Sequence, residues 1–175
     1  TTLLTKRTLN DSTIAVTIGA RKGTYKDMPA NRRYTLKLVA STVPASVKID
    51  GTETAYTYDG NNLSVLIDIP DTDCAKEKIV TIAFPKNATP VADGLIGKFR
   101  HIQQGCVAVK SRTPGFVFNE QLGTMESTGV AISYAPQEAE QRIEAFRHNY
   151  ANLKQVLLES GMEEAETDKF IQKAY

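Results

Sequence analysis

The residues with chemical potential are few and scattered. Gly19-Ala20-Arg21-Lys22-Gly23-Thr24-Tyr25 has the composition of a phosphate-cradling loop. Such a loop needs four residues between its glycines and a lysine after the second, so that backbone N–H groups wrap the phosphate. Here only three residues intervene and Lys22 precedes Gly23, so the segment reads as a structural turn. Arg21, Lys22, Lys26, Arg32, Arg33 and Lys37 form a local basic cluster with Tyr25 and Tyr34 between them. Cations beside stacking rings hold single-stranded nucleic acid. Asp27 interrupts the cluster, strand alternation would split it between two faces, and the chain's net charge is only +1. It therefore reads as a solvated surface or an interdomain contact, with no nucleic-acid partner.

Acid chemistry finds no better footing. Asp68, Asp71 and Asp73 crowd together, but calcium loops need a denser run of oxygen ligands closed by a Glu. Glycoside hydrolysis needs two carboxyls facing one another across a cleft, which no spacing here assembles. Glu138, Glu140, Glu144, Glu163, Glu164 and Glu166 fall where solvated helix faces are expected. His101 and His148 are far apart, and His101 borders an apolar stripe, so it reads as structural. Cys74 and Cys106 are too few for a disulfide scaffold or an all-cysteine zinc site, and nothing in their spacing requires them to pair. No Trp is present and aromatics make up 7% of the chain, so a sugar platform would fall to Tyr25, Tyr56 and Tyr58. No catalytic, cofactor-binding or metal-ligating residue is nominated.

The elements that would position these residues fall into two kinds. From Ile14 to Phe84 apolar residues alternate: Ile14, Val16, Ile18; Tyr34, Leu36, Leu38; Val47, Ile49; Tyr56, Tyr58; Leu63, Val65, Ile67, Ile69; Val80, Ile82, Phe84. Period two places each set on one face of a strand. Asp50-Gly51, Asp59-Gly60-Asn61-Asn62 and Pro70-Asp71 supply turn signals between them, and Leu3 to Leu9 reads as a first strand. After the proline-flanked stretch 85–90 the period changes. Leu95, Phe99, Ile102, Cys106 and Val109 share one helical face, with Asp93 as cap. Leu122, Met125, Gly129 and Ile132 give a weaker stripe, stopped by Pro136. Ala139, Ile143, Phe146, Tyr150, Leu153 and Leu157 give the clearest one, ending at Gly161, and a last short helix would bury Phe170, Ile171 and Ala174.

The expected fold is α+β by segregation: an antiparallel β-sandwich over 1–85, a connector at 86–91, and a helical segment of three to four helices over 92–175. At 175 residues, 41% hydrophobic and 23% charged, the chain can bury a core. No apolar run reaches the length of a membrane span. The start at Thr1, without Met or a signal-like leader, reads as a piece of a longer chain, with a processed mature protein as the alternative.

The run from Ile14 to Met28, followed by Asn31-Arg32-Arg33-Tyr34-Thr35-Leu36, resembles the distal C-terminal β-domain of glycoside hydrolase family 31, the α-glucosidase and α-xylosidase group. Arg21, Gly23, Tyr25, Met28 and Arg33-Tyr34 match its Arg-x-Gly-x-Tyr-x-x-Met turn and Arg-aromatic strand. Val43-Pro44-Ala45-Ser46-Val47-Lys48-Ile49-Asp50-Gly51 resembles its next hairpin. The resemblance covers about the first 85 residues and implies a non-catalytic accessory domain of a retaining α-glycoside hydrolase. The parent's catalytic aspartates would lie in a barrel that this Trp-free chain lacks. Arg21, Gly23, Tyr25, Met28 and Arg33 would then form a turn-stabilising or interdomain cluster, with no cofactor. The partner would be the rest of the parent chain, in a periplasmic or secreted protein. Residues 92–175 would be an extension. The alternatives are a carbohydrate-binding module and a protein-interaction domain of a non-enzyme; oligomeric state is left open.

Overall fold

The computed structural model describes residues 1–88 and 94–172. It divides into two compact units, one of Thr1–Tyr58 with Ser64–Pro90, the other of Asp59–Leu63 with Val91–Tyr175. The expected Asp93 cap, part of the 86–91 connector and Ala174 lie outside the described residues.

Among its described residues the first unit holds eight strands: β1 (Leu4–Asn10), β2 (Thr13–Ile18), β3 (Asn31–Leu38), β4 (Ser46–Ile49), β5 (Thr52–Glu53), β6 (Thr57–Asp59), β7 (Ser64–Asp73) and β8 (Lys78–Ala83). They form a five-stranded sheet in the order β1-β2-β8-β4-β5 and a three-stranded sheet in the order β3-β7-β6. In the larger sheet Val16 pairs with Val80 and Ile14 with Ile82, while Val47 meets Ile82 and Ile49 meets Val80. Alternation therefore sends these side chains to one face, where Val16, Val47, Val80 and Ile82 are buried. In the smaller sheet Val65, Ile67 and Ile69 on the central strand β7 are buried, and Leu38, Leu36 and Tyr34 opposite them are half-buried because β3 is an edge. These faces make the core of a sandwich-like unit.

Two turns show how local chemistry sets the register. Asp50 and Gly51 both take positive φ, 49° and 84°. That is the two-residue hairpin turn whose twist matches the flanking strands. Pro70-Asp71 is not the turn that its residue types suggested. Arg32 pairs with Thr72 and Tyr34 with Ile69, so Pro70 and Asp71 together oppose Arg33 as a bulge inside β7. Proline cannot donate to the ladder, and a bulge is where a strand accommodates it.

The helical unit contains α1 (Leu95–Arg112), α2 (Glu120–Tyr134), α3 (Ala139–Ala151), α4 (Leu153–Glu159) and α5 (Glu164–Gln172), with a short 3-10 turn at Pro136–Glu138. Among the described residues the α-helices number five, where three to four were expected. The stripe from Ala139 to Leu157 is two helices, because Asn152 leaves helical geometry at φ −107°, ψ 24°. Its amide donates to the His148 carbonyl at 2.9 Å, which takes up an acceptor exposed by the break. All five residues of the α1 stripe are buried, as are Leu122, Met125, Gly129 and Ile132 of α2. Phe170 is buried too, but Ile171 faces outward. Asn119 caps α2 through Leu122 N–H at 2.9 Å and reaches the Val156 carbonyl at 3.1 Å, joining α2 to α4.

The turn 59–63 clusters with these helices. The Gly60 N–H donates to Ser133 Oγ at 2.8 Å, Gln103 donates to Asn61 at 3.0 Å, Arg100 donates to Asn62 at 3.1 Å, and Leu63 is fully buried. Bare backbone makes this seat possible: a Cβ on Gly60 would meet the Gly129 carbonyl, and one on Gly129 would meet Asn61.

Candidate functional site

The loop between β2 and β3 carries the residues singled out for an interdomain or turn role. Its conformation requires left-handed backbone twice, at Gly23 (φ 87°) and Asp27 (φ 61°). Gly23 is there for its dihedral freedom, since a Cβ would meet nothing within 4 Å. Backbone bonds hold both ends of the loop. The Arg21 N–H donates to the Cys74 carbonyl at 2.7 Å, and the Cys74 N–H donates to the Ala30 carbonyl at 2.8 Å. Lys22 and Thr1 exchange bonds at 2.8 and 2.6 Å.

Within this frame the Arg21 guanidinium donates to the Pro29 carbonyl and ties the loop across its own base. Tyr25 stands 60% exposed, with its hydroxyl 3.5 Å from the Arg32 guanidinium. Arg32, not Arg33, makes that approach; Arg33 is exposed opposite the β7 bulge. Met28 is half-buried. Burial raises the Tyr34 hydroxyl above its ordinary pKa, and the neighbouring Cys74 thiol adds to the rise, against an opposing pull from Arg32 and Arg21. Arg21, Arg32, Tyr34 and Cys74 are thus neighbours. Cys74 anchors both ends of the loop through its backbone, a role that no side-chain pattern in the sequence signals. The cluster brings donors, rings and positive charge together on one loop.

The other tyrosines proposed for sugar contact are turned to structural work. Tyr58 is 2% exposed and donates to the Ser41 carbonyl at 2.6 Å, so its ring offers no face to a ligand. Tyr56 is half-buried and donates to the Pro44 carbonyl at 2.6 Å. Burial raises its hydroxyl pKa.

Several of the scattered acids are bound to local partners. Asp68 accepts from Thr35 at 2.8 Å and Asp73 from the Ala75 N–H at 2.8 Å. Glu138 pairs with Arg142, Glu164 with Lys154, and Glu166 with Arg112 and Lys169, all on open helix faces. Such exposed pairs contribute little to stability. Among the described residues no group of three or more His, Cys, Asp and Glu could hold a metal ion, and no helix is long and apolar enough to cross a membrane.

In the helical unit buried His101 bridges three elements. Nε2 lies 2.7 Å from the Phe170 carbonyl and Nδ1 lies 2.8 Å from the Tyr150 hydroxyl. A carbonyl only accepts, so Nε2 carries the proton, and in the neutral ring Nδ1 accepts from Tyr150. Cys74 and Cys106 are both free and buried. Burial, with a smaller contribution from Glu126, pushes the Cys106 thiol up to about 12.

No protein-family model matches the chain, and no curated protein matches it. Among solved structures it is similar in part to the GH31 dextranase of Flavobacterium johnsoniae, in a mutant form complexed with isomaltotriose. The match has 20% identity and a TM-score of 0.41, covering 47% of this chain and 12% of that one. A likeness of that degree does not place the chain in a family.

Proposed function

We propose that this chain is a non-catalytic accessory portion of a larger α-glycoside hydrolase of family 31 type. The parent would hydrolyse O-glycosidic bonds of α-glucosides or α-xylosides, in the periplasm or outside the cell. Residues 1–85 would serve as the sandwich domain, 86–91 as its connector and 92–175 as a helical extension, packing against the rest of the parent chain. The observation that carries this reading is the β2–β3 loop. The residues of the Arg-x-Gly-x-Tyr-x-x-Met run build a hydrogen-bonded turn that holds Tyr25, Lys22 and Lys26 outward, as an interdomain contact requires.

The test is direct. The isolated chain, incubated with aryl α-glucosides and aryl α-xylosides, should release no aryl alcohol above a buffer control. Turnover that persists through purification and saturates with substrate would overturn the proposal. The carbohydrate-binding alternative keeps one support, the exposed ring of Tyr25. Calorimetry with isomalto- and malto-oligosaccharides separates it, since only that reading predicts heat that disappears in Tyr25→Ala.

A further inference from the structure

The strand β1 poses a physical problem. Every residue from Leu4 to Asn10 is exposed, with Leu4 at 61% and Leu9 at 54%. A five-stranded sheet set against a three-stranded one leaves strands uncovered, and β1 is the terminal strand of the larger sheet. Ordering its residues costs conformational entropy that little side-chain burial offsets. It is held by backbone pairing to β2 on one side, extended by the Gly19 N–H donating to the Leu3 carbonyl at 2.8 Å.

That last bond sets the polarity of the open edge. In an antiparallel ladder, hydrogen-bonded and non-hydrogen-bonded pairs alternate. Leu3 is bonded to Gly19, so Thr5 and Arg7, opposite Thr17 and Ala15, also face β2 with their backbone groups. Leu4, Lys6 and Thr8 therefore turn their N–H and C=O groups to the outer side, where no strand pairs with β1 among the described residues. The register shift between Thr8 and Asn10 closes this run at Leu9.

Charge selects the occupant. The segment from Thr1 to Asn10 contains Lys6 and Arg7 and no acid, and alternation puts the two cations on opposite faces of the sheet. A second copy of β1 pairing across a two-fold axis must match a residue with itself or with one an even number of positions away. Centred on this strand, that sets Lys6 against Lys6 or Arg7 against Arg7, and like charges directly opposite destabilise a sheet. A strand with consecutive carboxylates meets both cations, one on each face. Two positions beyond the acid facing Lys6, an apolar residue would cover Leu4.

We propose that β1 is an acceptor edge for an extended segment of a partner protein with the antiparallel pattern acid-acid-x-apolar, joining the sheet as an added strand. This inference does not depend on the glycoside-hydrolase reading.

The full 175-residue chain is titrated with a synthetic Thr-Glu-Glu-Thr-Val-Thr peptide and with its Lys-Lys counterpart, by calorimetry and amide hydrogen exchange. The expected result is saturable binding of the glutamate peptide alone, with exchange slowed at Leu4, Lys6 and Thr8. The double variant K6E/R7E should weaken that binding on the order of tenfold and prefer the lysine peptide. Circular dichroism checks that the variant is folded. Absence of binding, equal binding of both peptides, or slowed exchange without protection on β1 would overturn the proposal. So would a peptide-free dimer that protects the same amides.

Discussion

Gly105 lies inside α1, where exchanging glycine for alanine ordinarily stabilises a helix by about 0.5–1 kcal/mol. The structure reverses that sign. A Cβ at position 105 would lie 2.3 Å from Cζ of Phe170 and under 3 Å from two further ring atoms, against ordinary contacts of 3.4 Å or more. Phe170 cannot swing into solvent cheaply: it is buried, its ring lies 5.6 Å from that of His101, and its carbonyl accepts from His101. Overpacking of this kind costs roughly 1–3 kcal/mol, so G105A should lose about 1–2 kcal/mol net. For a helical unit of this size that lowers the melting midpoint by roughly 5–15 °C, read by circular dichroism at the helical band. Gly97, in the same helix with nothing within 4 Å of a Cβ, is the internal control, and G97A should be neutral or stabilising. The double variant G105A/F170A should be more stable than the sum of the single losses, by on the order of 1 kcal/mol. If G105A melts at or above the parent temperature, or if the two losses add, the packing of α5 on α1 is wrong.

Gly129→Ala should destabilise by roughly 2 kcal/mol, because its Cβ would fall 2.4 Å from Asn61 Oδ1 and 2.9 Å from Asn61 Cα; Gly123→Ala, in open space one turn and more away, should not, and chemical denaturation compares them. Asp50 accepts from Lys78 at 2.7 Å and from the Ile79 N–H at 2.9 Å, and the lysine foremost holds its pKa below the ordinary 3.8. A depressed carboxylate contributes stability above its unfolded pKa that is lost as pH falls through the folded value. Asp50→Asn, which keeps the turn, should therefore cost under about 1 kcal/mol at pH 7 and flatten the decline below pH 4 in urea-melt midpoints. Alkylation of Cys106 by iodoacetamide at pH 8 should be slow, limited by the population of opened chain, and accelerate in denaturant, since the folded thiol is buried and pushed up to about 12; mass spectrometry of the labelled peptide reads it.

Much of this architecture was legible in residue pattern, and the failures have physical causes. Period two located the strands through Val16, Ile67 and Ile82 because one-sided burial demands alternation. The α1 stripe was equally clear from Leu95 to Val109. Pro70 misled because proline marks turns and bulges alike, and only the pairing of Arg32 with Thr72 distinguishes them. The helix break at Asn152 left the apolar stripe intact, so periodicity passed over it. Gly129 was placed on a buried face, but its reason, the close approach of Asn61 and Gly60, joins residues far apart in sequence. Nor does an alternating pattern reveal which strand goes uncovered. Leu3, Leu4 and Leu9 look like core residues until the unequal sheets leave β1 without a cover.

That these residues are a non-reacting part of a larger α-glycoside hydrolase, as proposed, is tested in the gene. Sequencing through the reading frame upstream of the codon for Thr1 should reveal an in-frame (β/α)8 barrel with an aspartate nucleophile and an aspartate acid/base. A stop codon and independent start ahead of Thr1, with no barrel in frame, would contradict it.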